Sequence, residues 1–197
     1  MLSLLKRTAL IFLIVPLAAC FGVELDFEFH EDETIEVTTF MSFNKDTFEM
    51  MGASADGGVC DGAETMASET EITCVSSGKL TLSEAIANGL TAGDENSGQG
   101  MKATVRRIND RVIAVSMPIE VADNPATGDG DAEMEAAFKE SFAGQDFKIW
   151  VTGVKILASN GTITEDERST LMSFPMVDLI TAADTVPTSF EVVLQYR

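Results

Sequence analysis

From residue 23 onward, apolar and polar positions alternate. Val23, Leu25, Phe27 and Phe29 are interleaved with Glu24, Asp26 and Glu28, the pattern of a strand with one wet face. A polar turn, His30-Glu31-Asp32-Glu33, separates this run from Ile35, Val37, Thr39, Met41 and Phe43, which alternate in the same way. Residues 23–43 therefore predict a β-hairpin. A second hairpin is expected from 102–108 and 111–121 around Asn109-Asp110. Residues 147–158 read as one long strand. The Asn160-Gly161 pair that follows is a strong hairpin-turn signal, with the chain returning through about 169–174. A last strand, 190–196, carries Val192, Leu194 and Tyr196 on one side.

Between these runs the period changes. Asn44 can cap a short helix over 45–51, stopped by Gly52, and Thr81 or Ser83 can cap 82–88, ended by Gly89. Asp131 can cap a helix to Ala143 with Met134, Ala137, Phe138 and Phe142 on one face, and 176–183 suits another short helix. The stretch around Cys60 and Cys74 reads as loop with a turn of helix near 64–68, and 91–100 and 122–130 as polar loops. Hairpins interleaved with short helices give an α+β fold class: a mostly antiparallel β-sheet built of hairpins, with short helices packed on one face. No linker divides two cores, so residues 20–197 are expected to form a single domain.

The residues before this pattern are of another kind. Lys6 and Arg7 precede a nearly unbroken apolar run over 9–17, too short for a membrane span of ~20 residues but suited to a secretory leader. It closes on Leu17-Ala18-Ala19-Cys20, which resembles the lipobox of bacterial lipoproteins. That resemblance implies cleavage before Cys20, diacylglycerol on its sulfur and an acyl chain on its amine. Two or three acyl chains hold a protein stably on a bilayer where one does not. A plain signal peptide, or an uncleaved anchor with an incidental cysteine, is the alternative. Phe21, not Asp, follows the cysteine, which favours the outer over the inner membrane. The first strand begins three residues after Cys20, so the domain is expected close against the bilayer.

Charge narrows the partners. The chain has 13 Lys and Arg against 32 Asp and Glu, a net charge of −19, and the leader removes only bases. Nucleic acid would be repelled. Anionic lipid surfaces are disfavoured too, which makes a covalent anchor more necessary. The two cysteines beyond Cys20, Cys60 and Cys74, form an even pair in an exported chain and are expected to make a disulfide. Closing a loop of about 15 residues is worth ~3 kcal/mol in the chain-entropy model.

Candidate chemistry is sparse. His30 is the only histidine, so no His-based zinc site or Ser-His-Asp triad can be assembled within one chain; a turn role is expected for it. Glu31, Asp32 and Glu33, or Asp129 and Asp131, could hold a hard cation, but Met134 stands where an EF-hand loop needs glycine. The methionines are scattered, as core packing would have them. Asn160-Gly161-Thr162 matches a glycosylation acceptor, though a turn explains it better, and Gly98-Gln99-Gly100 lacks the context of a nucleotide loop. Neither a cofactor nor a metal is expected, and no catalytic residue is assigned.

Several stretches together resemble the LppM-like lipoproteins: Cys-Phe-Gly-Val-Glu-Leu-Asp-Phe over 20–27, the acid-rich turn, the strand over 34–43, the segment Asn44-Lys45-Asp46-Thr47-Phe48-Glu49-Met50-Met51, and the strand over 190–194. The match runs over most of 20–197, by pattern and without a catalytic motif. It implies an extracytoplasmic α+β domain with a curved sheet that binds lipid or glycolipid. Some family members carry a C-terminal membrane span; here the attachment is expected at Cys20 alone.

These observations lead to a non-enzymatic binding domain of the cell envelope, lipid-anchored and periplasm-facing. Candidate ligand-lining residues are Phe40, Phe43, Phe48, Phe138, Phe142 and Trp150, which would hold an apolar ligand between sheet and helices. The alternative is an envelope scaffold or assembly factor that binds a basic protein partner through its acidic surface. A hydrolase relying on carboxylates alone is the third and weakest reading.

Overall fold

The computed structural model describes residues 22–45, 60, 63–92, 101–119, 142, 144–180 and 184–197. The expected helices over 45–51 and 131–143 lie almost wholly outside this set, as does Cys20.

The first hairpin forms as its alternation dictates. Strands β1 (Gly22–Phe29) and β2 (Thr34–Asn44) pair antiparallel, with Phe27 opposite Val37 and Phe29 opposite Ile35. The stretch expected to be loop is instead a second hairpin. Strand β3 (Glu64–Ala67) pairs with β4 (Glu71–Thr81), and β4 pairs along its whole length with β2. The glycines and acids near Cys60 hid this. Within it, Ile72 and Cys74 alternate inward with Thr73 and Val75 outward, a period-2 signal over only four residues.

Helix α1 (Leu82–Asn88) follows at once, and Thr81 is its cap. The Thr81 hydroxyl accepts from Glu84 N (3.2 Å), while Glu84 Oε2 accepts from Thr81 N (2.7 Å), a reciprocal capping box. Gly89 ends it at φ +82°, where an added Cβ would also meet the Ala103 carbonyl at 2.8 Å. Strands β5 (Leu90–Ala92), β6 (Met101–Arg107) and β7 (Val112–Pro118) then build a second sheet, with the β6–β7 hairpin turning at Asn109-Asp110 as expected.

The expected long strand over 147–158 is two strands in two sheets. Strand β8 (Asp146–Thr152) lies parallel to β1, whereas β9 (Lys155–Ser159) pairs with the last strand, β12 (Ser189–Gln195). The chain crosses between sheets at Gly153, where an added Cβ would lie 2.6 Å from Leu194 Cδ1. Asn160-Gly161 is therefore no two-residue hairpin. Strand β10 (Thr162–Ile163) rejoins the first sheet beside β11 (Ser169–Pro175). The Asn160 side chain instead accepts from Glu191 N (2.8 Å) and donates to Ser189 O (2.9 Å), extending the β9–β12 ladder. A Cβ at Gly161 would reach within 2.6 Å of Leu171 O and 2.8 Å of the Phe190 ring. Close approach, not a left-handed turn, explains this glycine. A short helix α2 (Met176–Ile180) follows β11.

The result is a seven-stranded sheet, β10-β11-β8-β1-β2-β4-β3, and a five-stranded sheet, β5-β6-β7-β12-β9. Among the described residues the layer facing the first sheet is thus a second sheet rather than a row of helices. All described pairings except β1–β8 are antiparallel. One core joins the sheets, with Phe27, Ile35 and Ile149 from the first and Ile113, Val115, Phe190 and Leu194 from the second fully buried. A smaller cluster of Phe43, Ile72 and Cys74 fills a corner of the first sheet, where Cys60 and Cys74 are joined as a disulfide, Cα to Cα 5.3 Å.

Candidate functional site

The strand alternation that buries Leu25, Phe27 and Phe29 puts Glu24, Asp26 and Glu28 on the outer face of the seven-stranded sheet. Register then decides their neighbours. Glu24 lies between Lys148 on β8 and Phe40 on β2; Asp26 lies between Trp150 and Thr38; Glu28 lies between Thr152 and Glu36. Asp26 is half-buried here and its Oδ1 has no hydrogen-bond partner. Burial, and then the like charges of Glu28, Glu24 and Glu36, hold its carboxyl above the usual range.

At the Gly22 end of this face is a cavity of about 270 Å³. Its wall includes Glu24, Phe40, Ser42, Glu71, Gln145, Asp146 and Lys148. Gln145 is only 6% exposed, and neither its carboxamide oxygen nor its nitrogen has a partner. Glu24, Glu71, Asp146 and Lys148 form no ion pair among the described residues. The arrangement offers carboxylates, an ammonium and an aromatic ring around one small volume. That suits binding of a small polar group.

The four described of the six aromatic residues expected to line a ligand site lie in different parts of the domain. Phe40 and Trp150 are on the outer face, Phe43 is in the small inner cluster, and Phe142 packs on the main core. Phe48 and Phe138 lie outside the described residues. Of the four that are described, Phe40 alone lines the cavity. Glu24, Gln145, Asp146 and Lys148 went unnoticed because nothing in the sequence brings β8 beside β1. The one available signal was the acid at every outward position of the first strand.

The acidic turn has other work. Asp32 accepts from the backbone and hydroxyl of Thr34 (3.0 and 2.5 Å), and both bonds hold its carboxyl below the ordinary range. Glu33 pairs with Arg107 (3.5 Å) and Arg197 (2.9 Å). His30 lies 3.8 Å from Glu28 and 4.0 Å from Glu36, at the hairpin tip. Among the described residues, no three His, Cys, Asp or Glu side chains are grouped to hold a metal ion, and no helix is long and apolar enough to cross a membrane.

The geometry defines a two-sheet, mostly antiparallel domain with a polar cavity at one end of its larger sheet. No protein-family model matches the chain, and no curated protein matches it in sequence. Its fold is similar to the folded domain of LppM from Mycobacterium tuberculosis, solved by NMR. The TM-score is 0.53, with 91% of each chain covered and 13% sequence identity. The chain therefore has an LppM-like fold.

Proposed function

We propose that this chain is a lipid-anchored lipoprotein of the bacterial cell envelope, periplasm-facing, whose domain binds a lipid or glycolipid without catalysing a reaction. The observation that carries the reading is a conjunction. A lipobox-like Leu17-Ala18-Ala19-Cys20 stands two residues before β1, and the domain behind it has the fold of the LppM folded domain. The cavity at the Gly22 end of β1, the end nearest Cys20 in sequence, supports the reading. The single histidine sits at an acidic turn far along β1 from that cavity, which supports a binding role over hydrolysis.

Mass spectrometry of the exported full chain tests the anchor: Cys20 should carry diacylglycerol, and an unmodified Cys20 would remove it. Native mass spectrometry of the chain exported behind an ordinary cleavable leader, so that no lipid is covalently attached, tests the ligand. A stoichiometric lipid should co-purify; an apo mass unchanged by added envelope lipids would overturn the binding reading. A second reading rests on the outer-face acids Glu24, Asp26, Glu28 and Glu36. On it the domain is a scaffold for a basic protein partner, and affinity for that partner would fall as salt rises.

A further inference from the structure

The cavity has a position and a composition that together narrow its ligand. Position comes first. Strand β1 starts at Gly22, which itself lines the cavity. Two extended residues span at most about 7 Å, so a lipid on Cys20 would bring the cavity mouth to the bilayer surface. The same end of the sheet carries the start of β8 at Asp146 and the start of β4 at Glu71, both in the cavity wall.

Composition comes next. Among the described residues of the wall three are acids, Glu24, Glu71 and Asp146, and one is a base, Lys148, and none of the four is in an ion pair with a described residue. The excess of acid selects for a cationic group, and Phe40 adds an aromatic ring beside it. A primary ammonium has three donors for those carboxylates; a quaternary one has none. Lys148 remains to meet an anion. Gln145 is also in the wall, but its carboxamide is buried behind it and has no partner among the described residues. A ligand carrying an ammonium and an anion a few bonds apart satisfies both signs. It also has no net charge, so a chain of −19 does not repel it as it would an anionic lipid.

We infer that this cavity takes the headgroup of a primary-amine zwitterionic phospholipid, of the phosphoethanolamine class, with Glu24, Glu71 and Asp146 around the ammonium and Lys148 on the phosphate. The inference rests on the lipid-binding reading above and names the ligand class for it.

The test uses the full chain in non-ionic detergent and its sole tryptophan, Trp150, which lies two residues from Lys148 on the same face of β8. Glycerophosphoethanolamine should change Trp150 fluorescence saturably, with Kd of about 1 mM or tighter. Ethanolamine, glycerol 3-phosphate and glycerophosphocholine should each bind about tenfold more weakly. Lys148→Met and Glu24→Gln should each weaken binding about tenfold, with the circular dichroism spectrum unchanged, whereas Lys148→Arg retains it. Phosphatidylethanolamine nanodiscs should compete, placing the ligand in the membrane. Equal binding of glycerol 3-phosphate, indifference to both cavity variants, or no saturable signal from soluble headgroup or nanodisc would overturn the inference. If a lipid still co-purifies in native mass spectrometry, that failure is of the headgroup class alone. An apo mass would sink both.

Discussion

The two ends of β1 treat their polar groups in opposite ways. At the Phe29 end, Glu33 of the turn meets Arg107 from β6 and Arg197 after β12. Between them the Tyr196 hydroxyl donates to the Asp110 carbonyl (2.8 Å) and accepts from Arg107 Nη1 (3.0 Å). Both guanidinium groups also lie over the Tyr196 ring, at 5.9 and 5.4 Å. This end ties the first sheet's turn to the second sheet's last strand. At the Gly22 end, Glu24, Asp146 and Lys148 form no ion pair and the Gln145 carboxamide has no partner among the described residues. Burying the Gln145 carboxamide without a partner costs stability, whereas the Phe29 end is held together by its polar contacts.

The largest effect should come from breaking the paired end. Tyr196→Ala removes a ring that is 1% exposed and the hydroxyl that three segments share. It should cost about 3–5 kcal/mol in urea unfolding, by analogy with other buried aromatic truncations. Next is the staple behind the open end. Replacing both Cys60 and Cys74 by Ala should cost about 3 kcal/mol. Glu71 is three residues from Cys74 on β4, so hydrogen exchange should quicken around the cavity more than around Tyr196.

Gln145→Met should do the reverse and stabilise the protein by about 1 kcal/mol, since it removes two unpartnered buried polar atoms while keeping the volume. A loss of stability there would mean that the carboxamide has a structural role, and the contrast between the ends would weaken.

The smallest effects are charge changes of opposite sign. Asp26 is held above its ordinary pKa, so the folded state binds its proton more tightly than the unfolded chain does. Its own contribution to stability therefore falls as pH rises past about 4, and Asp26→Asn should stabilise the protein at pH 7 by less than about 1 kcal/mol, with no gain at pH 3. Glu33 is held below its ordinary pKa, chiefly by the Arg107 hydrogen bond and then by the charges of Arg107 and Arg197. Its contribution is present above its ordinary pKa and lost as pH falls through the depressed value. Glu33→Gln should lower the melting temperature at pH 7 and leave it unchanged in strong acid. Melting curves of both variants from pH 3 to 7 check the pair.

Where the alternation was long, the fold was legible. Residues 22–44, 101–118 and 189–195 form the strands their period predicts, and Thr81 with Glu84 starts the helix its chemistry predicts. The hairpin of 64–81 was not legible, because Gly and Asp around Cys60 read as loop and the stabilising partner strand is distant in sequence. The run over 147–158 misled in another way. Its apolar pattern is continuous, yet Gly153 lets the chain approach Leu194 and change sheets. Of the aromatic residues singled out for bulk, the four that are described face different layers, which their residue type could not show.

By itself the sequence determined which residues face inward on the strands of 22–44, 101–118 and 189–195, the capped helix, the cysteine pairing and the acidic character of the first strand's outer face, because all of these depend on local period or on residue type. The tertiary structure alone decided that β8 lies parallel to β1, and with it that Lys148, Asp146 and Gln145 meet Glu24 and Phe40 around one cavity. That pairing joins residues more than a hundred positions apart. It is fixed by burying Phe27 and Ile149 in a common core, and no local pattern encodes which strand will be the neighbour.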